Sequence, residues 1–153
     1  MKDVKFKNTR FDPDSTQFLS LAKQMAKAFG YTADLKTDKN LAQLLRFRVA
    51  QKNECAYSVI LHAKTSREIG ISEAKTDNIS SWYNSELFTI REKAALAYTD
   101  VLTDGKHINL QKYQQAMTGY FSDVEIAEIA AVVINMNVFT RLKMAQGETP
   151  YFK

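Results

Sequence analysis

Signals that begin and end helices recur along almost the whole sequence, and they restrict the folds open to this chain. Thr89-Ile-Arg-Glu92 and Ser122-Asp-Val-Glu125 have the capping-box pattern, in which a hydroxyl residue precedes a glutamate by three positions. Asp12-Pro13 and Asp38 suit helix starts, and Gly30 suits a helix end. No segment alternates apolar and polar residues between hairpin signals. The sequence therefore predicts an all-α fold of about seven helices with no sheet.

These caps divide the chain into successive helices. The predicted helices cover residues 12–30, 38–53, 53–70, 72–82, 89–105, 109–120 and 122–145. Asn53 is the expected cap of the third helix, and Arg46 and Lys52 are expected on the outward face of the second. The last helix carries an apolar stripe wider than a surface helix requires, which suggests a central helix or one packed against another subunit.

Length and composition place the chain among globular proteins. Its 153 residues fit a single domain over residues 1–153, with 45% hydrophobic and 25% charged residues. The net charge of +4 comes without a cluster of basic and aromatic residues, so we expect no nucleic-acid partner. The longest apolar run, Ile126 to Val138, is interrupted by polar residues and falls short of the roughly 20 residues that span a bilayer, so we expect no membrane span.

The cysteine content and the N-terminal sequence indicate a cellular compartment. Cys55 is the only cysteine, which excludes an intramolecular disulfide, and the N-terminus lacks the apolar core of a signal peptide. We therefore expect a cytoplasmic protein.

The stretch from Cys55 to His62 carries the candidate chemistry. Cys55, Ser58 and His62 lie three and four positions apart, so on a helix they share one face. A helix start favours an anion, which makes Cys55 a candidate nucleophile. The alternative is structural: Cys55 is a small buried hydrophobe and His62 a core histidine with satisfied hydrogen bonds.

A metal site is not expected from these residues. Zinc sites use three or four protein ligands, and the second histidine, His107, lies in a turn-like region far from the Cys55 motif in sequence. We expect neither a metal nor another cofactor.

The residues from Gln43 to His62, including Leu-Leu-Arg-Phe-Arg and Cys55-Ala-Tyr-Ser58, resemble the carboxymuconolactone decarboxylase family, and within it the alkylhydroperoxidase D-like (AhpD-like) branch. That branch has a Glu, eleven residues, Cys-x-x-Cys, three residues and His, and the spacing here matches without a gap. Later segments around Trp82, Phe88 to Leu96 and Ile134 to Leu142 extend the resemblance to roughly residues 38–147.

The resemblance implies a helical bundle that forms a homo-oligomer, a trimer or hexamer, and that reduces peroxides or the disulfide of a peroxiredoxin. It places Cys55 at the first cysteine and His62 at the histidine. Ser58 takes the place of the second, attacking cysteine, and Gln43 that of the glutamate in the proton relay. Cys55, His62, Ser58 and Gln43 are therefore the candidate catalytic residues. Ser58 provides no thiolate, and Gln43 cannot hold a proton as a carboxylate does.

Three functions follow from this pattern. The first is a weakened or one-thiol peroxidase or disulfide oxidoreductase, in which Cys55 reacts and an external thiol reductant resolves the product. The second is a decarboxylase-like enzyme that uses His62 for acid-base chemistry. The third is a non-catalytic homo-oligomer that binds a small molecule or a partner, with Phe47, Tyr57 and Trp82 lining the cavity.

Overall fold

The computed structural model describes residues 3–105 and 109–153, and α-helices make up most of both ranges. The helices are α1 (Phe18–Phe29), α2 (Lys39–Lys52), α3 (Ala56–Glu68), α4 (Glu73–Asp77), α5 (Ile90–Asp104), α6 (Leu110–Met117) and α7 (Asp123–Gln146). In the described ranges, one short 3-10 helix, Pro13–Ser15, precedes α1, and another, Ile79–Asn84, lies between α4 and α5. The predicted helical class is confirmed.

The predicted caps form where local chemistry decides them. Thr89 and Ser122 both make the reciprocal bonds of a capping box, with Glu92 and Glu125. The Asp38 side chain accepts from the backbone N–H of Leu41 at the start of α2. Each of these side chains satisfies an amide that the first turn of a helix leaves without a partner.

The expectation of no sheet is wrong. Strands β1 (Val4–Asn8) and β2 (Glu148–Phe152) pair antiparallel, with Val4 opposite Phe152 and Asn8 opposite Glu148. The two strands lie far apart in the sequence, so no hairpin turn between them indicates that they pair. Most of their residues are exposed, and they therefore lack the clean alternation of a half-buried strand.

Several helix boundaries also differ from prediction. Asp12 and Pro13 begin the first 3-10 helix, and α1 starts only at Phe18. The segment that Ser72 caps is interrupted after Asp77, and a 3-10 helix continues from there.

Helix α2 lies at the centre of the bundle and packs against α3, α5 and α7. Its buried residues are Leu41, Ala42, Gln43, Leu44, Leu45, Arg46, Phe47, Val49 and Ala50, which leaves it little outward surface. The prediction that Arg46 faces outward is therefore wrong, because only 3% of this residue is exposed. Helix α7, predicted either to be central or to pack against another subunit, packs against α1, α2 and α5. Among the described residues, no helix combines the length and apolar character needed to cross a membrane.

Candidate functional site

The junction between α2 and α3 positions Cys55. Glu54 adopts a positive φ of 54°, and the backbone N–H of Cys55 then donates to the carbonyl oxygen of Ala50 at 3.1 Å. Cys55 itself is the N-cap residue of α3. Asn53, expected in that role, ends α2 instead, and its side chain donates to Asn137 on α7 at 2.9 Å. The backbone reversal at Glu54 moves the helix start two residues along the chain.

Cys55 and Ser58 form one contact pair of the site. The Cys55 side chain is buried, with 2% of the residue exposed, and its Sγ donates to Ser58 Oγ at 3.2 Å. Ser58 is 3% exposed and lines a cavity, whereas Cys55 does not contribute to the cavity wall. The Cys55 sulfur therefore lies behind the cavity wall, in contact with the Ser58 hydroxyl group that forms part of that wall.

Gln43 and His62 form the second pair, between α2 and α3. Gln43 Nε2 lies 3.0 Å from His62 Nδ1 and donates to the backbone carbonyl oxygen of His62 at 3.3 Å. Arg46 Nη1 donates to Gln43 Oε1 at 3.5 Å. The contacts of the Gln43 amide oxygen and of its amide nitrogen therefore agree on one orientation of the amide group. Because an amide nitrogen can only donate, Nδ1 of the neutral imidazole accepts, and the ring proton lies on Nε2.

Burial and a neighbouring cation keep His62 neutral. Desolvation, together with the positive charge of Arg46, lowers the pKa of His62 to about 4. Desolvation also lowers the pKa of Arg46, to about 10, which leaves it charged at neutral pH. Arg46 Nη2 donates to the carbonyl oxygens of Phe29 at 3.0 Å and Gly30 at 2.9 Å, at the end of α1.

The cavity beside these pairs has a volume of about 310 Å³. It is lined by Ala26, Gly30, Tyr31, Thr32, Arg46, Tyr57, Ser58, Leu61, His62, Asn135, Met136, Phe139 and Lys143. Of the aromatic residues expected around a binding cavity, Tyr57 lines it, whereas Phe47 belongs to the core and Trp82 packs against that core. The wall is mostly apolar with a few polar groups, as small-molecule sites usually are.

The terminal sheet supports the Tyr57 side of this cavity. The ring of Phe6 in β1 packs edge-on against Tyr57, with 4.8 Å between centroids. Lys143 Nζ lies over the Tyr57 ring, 4.3 Å from its centroid, and pairs with Glu148 of β2 at 2.6 Å. Residues near both ends of the chain thus fix one wall of the site.

The four predicted site residues therefore occupy one region but in two contact pairs, Cys55 with Ser58 and Gln43 with His62. Sequence reasoning missed Arg46, which joins the second pair and lines the cavity. An arginine inside the apolar run Leu44-Leu45-Arg46-Phe47 was the available signal, since a charged residue in a buried stretch needs specific partners.

No group of three or more His, Cys, Asp or Glu side chains that could hold a metal ion occurs within residues 3–105 and 109–153. His107, weighed above as a metal ligand, lies outside the described residues.

The comparison with protein families decides the classification. The model of the carboxymuconolactone decarboxylase family matches residues 20–101, more than half of the chain and the whole of α2 and α3. The chain belongs to the carboxymuconolactone decarboxylase family. This membership confirms the resemblance drawn from the Gln43 to His62 segment.

Relatives of this carboxymuconolactone decarboxylase family member share the fold at low identity. The uncharacterized protein YdfG of Bacillus subtilis is 23% identical over 119 residues, which cover 76% of this chain and 80% of that protein. ATU0492 of Agrobacterium tumefaciens, a protein of unknown function described as a candidate AhpD antioxidant-defence protein, superposes with a TM-score of 0.83 at 22% identity, covering 91% of this chain and 94% of that one.

A second solved structure, an uncharacterized peroxidase-related protein with an alkylhydroperoxidase AhpD core from Ralstonia eutropha, gives a TM-score of 0.77 at 18% identity. The match covers 91% of this chain and 72% of that one. This carboxymuconolactone decarboxylase family member therefore has the AhpD-like fold.

Proposed function

We propose that the protein is a one-thiol peroxidase or disulfide oxidoreductase of the alkylhydroperoxidase D type, with Cys55 as the reacting residue. The observation that carries the proposal is the hydrogen bond from Cys55 Sγ to Ser58 Oγ, which links the thiol to a cavity-lining hydroxyl. Relatives named for peroxidase or antioxidant roles share the fold and support the same chemistry.

The hydrogen bond between Cys55 and Ser58 suggests a route for the thiol proton. Cys55 Sγ attacks one peroxide oxygen, so an S–O bond forms and the O–O bond breaks; sulfur is oxidised to sulfenic acid and the peroxide is reduced to an alcohol. Ser58 Oγ accepts the thiol proton as its own hydroxyl proton passes to the departing oxygen. The peroxide approaches the sulfur from the cavity, past the Ser58 hydroxyl group, which keeps its hydrogen bond to Sγ.

His62 contributes as a hydrogen-bond donor in this scheme. With Nδ1 accepting from Gln43, its Nε2–H can stabilise negative charge on the departing oxygen. The same arrangement disfavours the decarboxylase-like alternative, because neither ring nitrogen of His62 is free to take a proton and its pKa is lowered to about 4.

The cycle closes with an external thiol, because Ser58 cannot resolve a sulfenic acid. A first reductant thiol forms a mixed disulfide with Cys55 and releases water, and a second thiol displaces Cys55. A small thiol or a peroxiredoxin is the proposed partner, and a homo-oligomer, trimer or hexamer, in the cytoplasm is the proposed setting.

Trapping of sulfenic acid at Cys55 tests the proposal. We expect the folded wild-type protein, treated with an organic hydroperoxide and dimedone, to carry one adduct at Cys55 by mass spectrometry. Peroxide consumption with a thiol reductant should exceed that of Cys55→Ala, and Ser58→Cys should raise it by restoring a second thiol. A folded wild-type protein with no adduct and no turnover above Cys55→Ala contradicts the proposal.

One observation favours a second candidate, a non-catalytic small-molecule binding protein. Cys55 is 2% exposed and absent from the cavity wall, so a ligand in the cavity does not touch the sulfur. Ligand binding that is unaffected by Cys55→Ala, in a protein without peroxidase turnover, would establish this candidate.

A further inference from the structure

Arg46 is a buried cation without a carboxylate partner. Among the described residues, its hydrogen bonds go to Gln43 Oε1 and to the carbonyl oxygens of Phe29 and Gly30, and its buried Nε has no partner. Burying an ion is costly unless an opposite charge compensates it. The site is therefore short of one negative charge.

The cavity supplies no acid to provide that charge. Its two charged wall residues are Arg46 and Lys143, and Lys143 already pairs with Glu148 at 2.6 Å. Only 3% of Arg46 is exposed, so water hardly solvates its charge. Among the described residues, no acidic side chain neutralises this cation of the cavity wall.

Two further groups on the wall are donors. His62 carries its proton on Nε2, because Nδ1 accepts from Gln43. The hydroxyl hydrogen of Ser58 is available because its oxygen accepts from Cys55. The two residues lie one helical turn apart on α3 and both line the cavity, a combination of donors and positive charge that suits an anionic oxygen.

Part of the cavity wall is apolar. Leu61 of α3 and Met136 and Phe139 of α7 line the cavity together with the polar groups. A bare inorganic anion would leave these surfaces without contacts, whereas an organic anion would cover them.

We infer that this cavity binds a small carboxylate with an apolar body, its anionic head near Arg46, Ser58 and His62 and its body against Leu61, Met136 and Phe139. The inference goes beyond the proposed thiol chemistry and does not need Cys55 to react.

Binding of hexanoate, observed by NMR of methionine methyl groups, tests this inference. Met136 lines the cavity, whereas Met117 is fully buried in the core and provides an internal control. We expect hexanoate to shift the Met136 signal saturably and to leave Met117 in place. Neutral hexanamide should bind about tenfold more weakly or worse, because it cannot compensate the charge of Arg46.

A pair of variants identifies the cation responsible. Arg46→Gln should weaken hexanoate binding by about tenfold or more and leave hexanamide binding unchanged. Arg67→Gln removes the same charge from an exposed pair with Asp77 and should leave both affinities unchanged. Cys55→Ala should bind hexanoate as the wild type does, so failure of the peroxidase proposal would not affect this result.

Three outcomes would overturn the inference. These are equal affinities of wild-type protein for hexanoate and hexanamide, the absence of a Met136 shift with hexanoate, and binding of inorganic phosphate as tightly as hexanoate. The wild-type comparisons decide the matter even if Arg46→Gln does not fold.

Discussion

Gln43 determines which nitrogen of His62 carries the proton. The family resemblance places a glutamate at this position, and a carboxylate would accept from Nδ1–H and leave Nε2 as a base. The amide of Gln43 does the reverse, since it donates to Nδ1. One side-chain substitution thus converts His62 from a base that faces the cavity into a donor that faces it.

We predict that Gln43→Glu reverses this tautomer. The wild-type protein should show the Nε2–H form of His62 in long-range ¹H–¹⁵N correlation spectra, and Gln43→Glu should show Nδ1–H or the doubly protonated ring. The new carboxylate should also raise the pKa of His62, because it adds a negative charge beside the ring. An Nδ1–H tautomer in the wild type would contradict the hydrogen-bond assignment.

His62 also makes stability depend on pH. Its pKa is about 4 in the folded protein against 6.5 for an unperturbed histidine, so the unfolded state binds the proton first as the pH falls. We predict that the free energy of unfolding is highest above pH 6.5 and decreases toward pH 4. The loss from this group should be about 3 kcal/mol, measured by urea denaturation at a series of pH values.

The control for this pH dependence is the second histidine. His62→Phe should flatten the change between pH 6.5 and pH 4, and His107→Gln should retain it. An equal slope in wild type and His62→Phe would show that other groups cause the dependence.

At the scale of elements, an ion pair joins α2 to α5 and to the 3-10 helix between α4 and α5. Arg48 Nε and Nη2 donate to the two carboxylate oxygens of Asp100 at 2.7 and 2.9 Å, and Trp82 Nε1 donates to Asp100 Oδ2 at 3.1 Å. The side chains of Arg48 and Asp100 are only 13% and 19% exposed. Three elements therefore depend on one carboxylate.

We predict that Asp100→Ala lowers the free energy of unfolding by about 2 to 3 kcal/mol, because it leaves a mostly buried guanidinium and an indole N–H without acceptors. Chemical denaturation of wild type and variant measures the difference. Asp77→Ala, which breaks the exposed pair with Arg67, should cost no more than about 0.5 kcal/mol. Similar costs for the two variants would contradict the prediction.

Local signals in the sequence were enough to predict the elements that local chemistry determines. The caps at Thr89, Ser122 and Asp38 need only residues three positions away, and all three form. Helix α2 was predicted in extent but not in surroundings, because burial of Arg46 depends on three other helices packing around it. Periodicity describes one helix and cannot show how many neighbours cover it.

The candidate site divides in the same way. The spacing of Cys55, Ser58 and His62 from the cap of α3 onward was readable from the sequence, and the structure brings Ser58 and His62 to one cavity with Cys55 in contact with Ser58. The contact of Gln43 with His62 joins two helices, and the φ of 54° at Glu54 places Cys55 at the cap rather than in the first turn. Both features depend on tertiary geometry that residue spacing does not encode.

At the scale of the whole molecule, the sheet of β1 and β2 joins segments that are far apart in sequence. Thr9 Oγ1 donates to the carbonyl oxygen of Gly147 across 138 positions, and Phe6 packs against Tyr57 of the cavity wall. Both strands are mostly exposed, so little buried apolar surface holds them in place.

We predict that the sheet opens without global unfolding. Backbone amides of β1 should exchange with deuterium faster than those of α2, because local opening of exposed strands costs less than unfolding of the central helix. Phe6→Ala should speed exchange in β1 further and leave exchange in α2 unchanged. Equal protection of β1 and α2 would show that the sheet unfolds only with the whole molecule.

The pairing of β1 with β2 also brings the two ends of the described backbone together, since the Lys153 N–H donates to the Asp3 carbonyl oxygen at 3.3 Å. The path of the chain is thus nearly a closed ring. A short linker can join these two residues without moving a helix, and new ends can then be opened in a surface turn such as the one around Gly119, where added atoms meet nothing within 4 Å. In such a circularly permuted protein, the two strands that support Tyr57 become neighbours in sequence, and a contact across 138 positions becomes a local one.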